Sequence, residues 1–181
     1  MSEKIETITL GGGCFWCVEA VYEKVEGVTA VESGYCNGHV ERPSYEQVCT
    51  GNTGHAEVVR VSFDTSKISL RDILEIFFVI HDPTTLNRQG SDVGTQYRSG
   101  IYVENEDHER VAREVLAEIA ASGTYRSPVV TELKALDNYS RAEDYHQHYF
   151  ATHPNQGYCA FVVAPKVEKF RKNFASRVRK D

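Results

Sequence analysis

The spacing of hydrophobic and polar positions changes several times along the chain, and each change marks an element. Ile5 to Leu10 alternates with a β-branched bias and stops at Gly11-Gly12-Gly13, which predicts a strand running into a tight turn. From there Cys14, Val18, Val21, Tyr22 and Val25 fall on one face of a helix that Gly27 ends. Val28 to Tyr35 reads as a second strand, and Ala56 to Phe63 as a third with Val59, Val61 and Phe63 on one face. The Gly-, Asn-, Pro- and Thr-rich stretch between them, Cys36 to Gly54, reads as a loop.

Helical spacing returns at Leu70, Ile73, Leu74, Phe77, Phe78 and Ile80, with Ser69 as N-cap and Asp72 three residues on; Asp82-Pro83 breaks it after His81. An irregular polar stretch to Arg98 leads into a strand at Gly100 to Val103 and a helix from Glu106 to Ser122, bounded by Asn105 and Gly123. The order is βαββαβ, so the expected fold class is α+β: a ferredoxin-like split βαβ, or α/β plait, with two helices over one face of an antiparallel sheet. Beyond this core the pattern predicts long loops, a strand at Val129 to Leu133, a helix from Ala142 with Ser140 and Glu143 as its capping box, a short apolar stretch at Ala160 to Val163, and a terminal helix. No repeat or low-complexity linker divides residues 1–181, which read as a single domain.

Composition narrows the partners. With 41% hydrophobic and 25% charged residues the chain has the makings of an ordinary globular core. Its 20 basic and 26 acidic side chains give a net charge of -6, which repels a phosphate backbone unless the basic residues gather on one face. They gather only near the end, where Lys166, Lys169, Arg171, Lys172, Arg177, Arg179 and Lys180 surround Val167, Phe170 and Phe174; this reads as a solvated helix, and no nucleic-acid partner is expected. Ile73 to Ile80 falls short of the ~18 apolar residues of a membrane span and contains Glu75, so no membrane is expected either. Met1 to Glu6 has no apolar signal segment behind its charges, and the five cysteines, an odd count, fit a reducing compartment and chemical use of thiols; both point to the cytoplasm.

The segment Gly11-Gly12-Gly13-Cys14-Phe15-Trp16-Cys17 carries the clearest chemical signal. A cysteine in the first turn of a helix sits at the positive end of the macrodipole, where a thiolate is favoured, and the glycines let a substrate approach the backbone. The alternatives are a buried structural thiol and, from Cys14-x-x-Cys17 with Cys36-Asn-Gly-His39, a zinc site, although Phe15 and Trp16 make an apolar helical setting rather than a zinc knuckle. His146 and His148 lie two apart, point different ways on a helix and cannot easily share a metal; with His153 they read as partly buried hydrogen-bonding residues. Composition alone leaves Glu57, in Gly54-His55-Ala56-Glu57, on the surface.

Taken together, Gly13-Cys14-Phe15-Trp16, Pro43-Ser44-Tyr45, Gly54-His55-Ala56-Glu57, His81-Asp82-Pro83-Thr84, Gly90 to Ser99 and Tyr145-His146-Gln147 occur in an order that resembles the peptide methionine sulfoxide reductases of the A type. The resemblance spans Gly11 to about Cys159 and implies a repair enzyme acting on the S epimer at sulfur. It implies Cys14 as nucleophile, with Glu57, Tyr45 and Tyr97 around the sulfoxide oxygen, Asp92 helping through hydrogen bonds, and Phe15 and Trp16 walling the S-methyl group. No metal or organic cofactor is called for; the expected partners are methionine sulfoxide in peptides and proteins and thioredoxin as reductant, with the enzyme a monomer. Cys159 resembles one of the family's recycling cysteines, and the Pro154-Asn155-Gln156-Gly157 stretch before it reads as mobile enough to bring it to Cys14. Cys17 is the alternative, since a helical i, i+3 pair holds its Cβ atoms about 5–6 Å apart where a disulfide needs roughly 3.5–4.5 Å. Cys36 and Cys49, read as loop cysteines, are the remaining candidates.

Overall fold

The computed structural model describes residues 4–179; residues 1–3, part of the segment read as lacking a leader, and Lys180 of the basic cluster lie outside the described residues. Strands β1 (Ile5–Gly11), β2 (Val28–Cys36), β3 (Ala56–Asp64), β6 (Gly100–Val103), β7 (Glu132–Ala135) and β8 (Ser140–Arg141) form one sheet in the order β7-β6-β1-β3-β2-β8. Every pairing is antiparallel except β6 with β7. The two short strands β4 (Arg88–Gln89) and β5 (Asp92–Val93) make a separate hairpin inside the stretch read as irregular.

Alternation along the strands sorts the side chains onto two faces. Ile8, Leu10, Val59, Val61, Phe63, Ile101 and Val103 join the main core beneath α1 (Phe15–Tyr22) and α3 (Leu70–Ile80). Cys36, Ala56, Val58 and Tyr102 form a small second cluster roofed by Leu136 and Tyr139, and further along the strands polar pairs take over: Thr7 bonds Ser62 at 3.0 Å and Arg60 bonds Glu104 at 2.9 Å. Helix α3 begins with the capping box expected of Ser69 and Asp72. Helix α4 (Glu106–Ala121) begins at Asn105, whose side chain accepts the His108 N–H at 2.8 Å. A five-residue helix in the loop region, α2 (Tyr45–Cys49), has a capping box of its own from Ser44 and Gln47.

The C-terminal part departs from the sequence pattern. The strand expected at Val129 to Leu133 lies at Glu132–Ala135, where it pairs with β6. No helix starts at Ala142: Ser140 belongs to β8, and Asp144–His146 is one 3₁₀ turn before the four-residue α5 (Tyr149–Thr152). Glu143 cannot close a capping box there, because its carboxylate accepts from Tyr35 Oη at 2.8 Å and from the Tyr45 N–H at 2.9 Å. Cys159–Val163 is a π-helical turn leading into α6 (Ala164–Asn173), which buries Val167 and Phe170 as its spacing predicts. Among the described residues no helix is long and apolar enough to cross a membrane.

Candidate active site

The site forms where β1 ends and α1 begins. Gly11 pairs with Gly100, and Gly13 turns the chain at φ +93, a conformation that favours glycine. A Cβ on Gly13 would also lie 2.7 Å from the Gln89 side chain, which is clamped by accepting the Asp82 N–H at 2.7 Å and donating to the Asp82 carbonyl at 2.9 Å. This packing delivers Cys14 as the N-cap of α1, 8% exposed, so a small substrate can reach a thiol that bulk water scarcely touches.

Glu57 is buried, contrary to the compositional expectation. It shares a strand face with Val59, Val61 and Phe63, one position beyond the hydrophobic run, so β3 drives its carboxyl under α1 instead of into solvent. Oε1 accepts the Phe15 N–H at 3.1 Å, whereas Oε2 is buried with no hydrogen-bond partner among the described residues. Burial pushes the Glu57 pKa up to about 8, with the Phe15 N–H opposing and the Asp92 and Cys17 charges adding to it. Glu57 is therefore a carboxylic acid at neutral pH.

Burial also holds the Cys14 thiol well above its ordinary pKa, reinforced by contacts with Cys17 and the Glu57 charge. This differs from the expectation of a resting thiolate, because desolvation outweighs the lowering contributed by the Trp16 N–H. Cys17 moves down instead, chiefly through a side-chain hydrogen bond from Cys14, helped by the Lys166 charge. Beyond it, Tyr158 Oη lies 3.9 Å from Cys17 Sγ and donates to Asp92 Oδ2 at 2.5 Å. Asp92 thus faces the thiols through Tyr158, a residue that sequence reasoning missed and that only the adjoining Cys159 could have flagged.

The two phenols arrive on irregular segments. Tyr45 opens α2, and its ring stacks on Phe15 at 6.2 Å between centroids. Tyr97 ends the 3₁₀ turn Thr95–Tyr97, which is tied to α2 by Gln96 donating to the Cys49 carbonyl and by Thr95 donating to the Gly51 carbonyl. Burial raises both pKa values, and Glu57 is the next largest influence on each, so both hydroxyls remain donors beside that carboxyl. Trp16 stacks on Tyr149 at 3.9 Å with the rings 6° from parallel, and its indole N–H donates to His146 Nδ1 at 3.1 Å. His146 in turn packs 4.3 Å from the Tyr45 ring and 5.2 Å from Phe15. Its burial lowers the imidazole pKa, keeping the ring neutral and able to accept.

The other cysteines divide sharply. Cys159 is fully buried in the π-helical turn rather than carried on a mobile loop, and it is near enough to Cys17 for that residue's charge to raise its pKa. Cys36 is buried in β2 on the far face of the sheet, and Cys49 is exposed at the end of α2. The zinc alternative loses its geometry with this: among the described residues Cys14, Cys17, Cys36 and His39 do not converge to within reach of one ion.

Residues 6–178 match the model of the family described as peptide methionine sulfoxide reductase. The chain belongs to the peptide methionine sulfoxide reductase family. It is 57% identical over 174 residues to a peptide methionine sulfoxide reductase MsrA of Polynucleobacter asymbioticus, covering 96% of this chain and 92% of that one. The MsrA of Saccharolobus solfataricus is 55% identical, with 97% and 98% covered. Among solved structures, reduced Mxr1 of Saccharomyces cerevisiae matches with a TM-score of 0.79 at 35% identity, covering 86% of this chain and 90% of that one. The methionine sulfoxide reductase A of Corynebacterium diphtheriae matches with a TM-score of 0.77 at 35% identity, covering 86% and 78%. As a member of this family the chain is an oxidoreductase, and the thiol and acid at the end of β1 are the groups its chemistry has to explain.

Proposed function

We propose that the chain reduces methionine sulfoxide of the S configuration, free or in proteins, to methionine, and so repairs oxidised proteins. The observation that carries this reading is the Glu57 carboxyl: buried, kept protonated near neutral pH, and with Oε2 unclaimed beside the Cys14 thiol. A sulfoxide oxygen is the acceptor that such an acid lacks. Cys14 sulfur attacks the sulfoxide sulfur while Glu57 gives its proton to the oxygen, and the Tyr45 and Tyr97 hydroxyls donate to that oxygen as charge builds on it. Asp92 holds Tyr158 at the thiol side of the same site. Phe15 and Trp16 supply the apolar wall for the S-methyl group.

Atoms balance in this step. One thiol and one sulfoxide become one sulfenic acid on Cys14 and one thioether, and the thiol proton replaces the one that Glu57 gave up. A second thiol then condenses with the sulfenic acid, releasing water and leaving a disulfide. Contact with Cys14 favours Cys17 as the first partner. Cys159, near enough to Cys17 to feel its charge, is then the thiol to which the disulfide passes. Thioredoxin as the final reductant and action as a monomer follow from the family resemblance; the single domain rests on the absence of a repeat or linker, and work in the cytoplasm on the odd count of five cysteines. The antiparallel order β6-β1-β3-β2 with α1 and α3 over one face supports the ferredoxin-like plait as the core on which this site is built.

The test is to supply purified protein with separate S and R epimers of methionine sulfoxide and dithiothreitol, and to measure methionine. Reduction of the S epimer alone is expected. Equal use of both epimers, or of neither, overturns the reading.

A further inference from the structure

A second cluster of ligating side chains sits on α1 beyond the sulfur site. Glu19 is 0% exposed; its carboxylate draws on the His148 N–H and Oε1 accepts the Tyr149 N–H at 3.3 Å, yet Oε2 makes no hydrogen bond among the described residues. Glu23 stands four residues on, at the C-cap of α1, which brings the two acids onto one side of the helix. From the C-terminal segment His148 reaches across, and its Nδ1 lies 3.0 Å from Glu23 Oε1. One carboxylate oxygen of each acid and a ring nitrogen of His148 all fall within 4.8 Å of one another.

Two like-charged acids placed together, one of them dry, call for a cation. Among the described residues no lysine or arginine pairs with either carboxylate; Arg179 bonds the Glu23 backbone carbonyl instead. A proton can occupy Glu19, whose pKa burial pushes up to about 7, but that leaves the partnerless oxygen unexplained. We propose that Glu19, Glu23 and His148 bind one divalent first-row transition cation of the zinc class, through two carboxylate oxygens and one imidazole nitrogen. That donor set suits such ions, with bonds of about 2.0–2.2 Å and positions left for water. Ligands bound to one ion must draw closer than they stand now. Exposed His148 and the partly exposed Glu23 side chain can make that movement, while Glu19 is fixed by the core.

The site's position gives it a consequence. His148 immediately precedes Tyr149, which is bonded to Glu19 through its N–H and stacked on Trp16 through its ring. A cation there ties the turn carrying Tyr149 to α1 and stiffens the aromatic wall without touching Cys14. The proposal does not depend on which sulfoxide the enzyme reduces.

Thiols also bind zinc, so the experiment compares proteins with identical cysteines. Zn²⁺ is titrated against a competing indicator into the full reduced chain and into Glu23→Gln and His148→Gln, with circular dichroism establishing that each variant is folded. Amide hydrogen exchange is followed over residues 144–153. The wild type is expected to hold one more equivalent than either variant, or to bind that equivalent at least ~10-fold more tightly. Zn²⁺ should slow exchange at Tyr149 in the wild type alone. Equal stoichiometry and affinity in all three proteins, with exchange at Tyr149 unchanged by zinc, would show that only the thiols bind and would overturn the site.

Discussion

The N-terminal half of the site and the C-terminal segment that closes it are built in opposite ways. From β1 to β3 the chain runs in regular elements of five to nine residues, and the groups that matter there, Cys14 and Glu57, are set by the turn after a strand and by strand alternation. From β8 to Val163 it proceeds in a two-residue strand, a 3₁₀ turn, a four-residue helix and a π-helical turn. That segment is held by side chains gripping the first half: Gln147 bonds both the N–H and the carbonyl of Ser33, Glu143 bonds Tyr35 and Tyr45, and Trp16 bonds His146. Regular elements fix the reacting atoms, and the irregular segment supplies the wall, the supports and the third thiol. Loss of Cys14 or Glu57 from the first half should therefore abolish chemistry, whereas damage to the second should leave chemistry intact and impair positioning or recycling.

The largest effect is expected at Cys14. Cys14→Ser should lose the single-turnover reaction by orders of magnitude while circular dichroism and thermal midpoint stay near wild type, because a serine hydroxyl is a far poorer nucleophile at neutral pH. If more than about a tenth of the rate survived, the nucleophile would be elsewhere, since losing a covalent nucleophile costs far more than that.

Glu57→Gln comes next, with a fall of roughly 10²–10⁴ in the first chemical step, because the amide keeps the size of the acid but gives no proton. The pH profile sharpens this. The active form of Glu57 is protonated and its pKa is about 8, so the wild-type rate should decline as pH rises through that value, and the variant should lack that decline. Stability has the same sign. A carboxyl raised from 4.5 to about 8 favours the fold fully below the lower value, and that advantage is lost as pH rises through the upper one. Glu57→Gln should therefore lose less stability than wild type between pH 5 and 9 in urea melts. Coincident wild-type and variant profiles in both measurements would remove Glu57 from the role of acid.

The recycling thiols, Cys17 on α1 and Cys159 in the π-helical turn, separate recycling from the chemistry of Cys14 and Glu57. Cys17→Ser and Cys159→Ser should each retain the single-turnover rate, yet slow thioredoxin-dependent turnover by roughly tenfold or more, since each removes a thiol needed after the oxygen has moved. With one equivalent of substrate and blocked thiols, the Cys159→Ser protein should yield a peptide joining Cys14 to Cys17. A Cys14–Cys159 peptide formed in Cys17→Ser at the wild-type rate would show instead that the buried turn opens readily and that Cys17 is a spare.

These expectations also explain what could be read from the sequence. The Ser69 and Asn105 caps, the face of Val59, Val61 and Phe63, and the glycine turn before Cys14 are local effects, and local spacing records them. The same spacing held the clue to Glu57, whose odd-numbered position puts it on the core face, although composition argued for the surface. Ser140 and Glu143 have the spacing of a capping box, but Glu143 is bonded to residues 98 and 108 positions away, and no local rule sees those partners. Cys159 shows a related effect: turn-forming residues before it suggest mobility, while the π-helical turn that buries it packs against α1.

The smallest effect is expected at Glu143, and it asks whether the irregular half positions the regular one. Its two oxygens are both engaged, one by the Tyr35 hydroxyl and one by the N–H that begins α2 at Tyr45. Glutamine keeps one acceptor oxygen but turns an amide toward the other donor, so one support is lost while the size is kept. Losing a single, partly exposed hydrogen bond to a charged group costs about 1.5–3 kcal/mol at most, and the Tyr35 hydroxyl can rotate to accept from the new amide, which reduces the loss further. Tyr45 would then sample positions away from Phe15 and His146, weakening its bond to a sulfoxide oxygen without touching Cys14 or Glu57. Glu143→Gln should consequently lower kcat/KM by roughly three- to tenfold, mostly through KM, with the pH dependence set by Glu57 unmoved. A Tyr45→Phe background discriminates positioning from a general loosening of the fold: if Glu143 acts through Tyr45, the second substitution should add almost nothing to the first. Full additivity of the two would mean that Glu143 supports the enzyme by some other path.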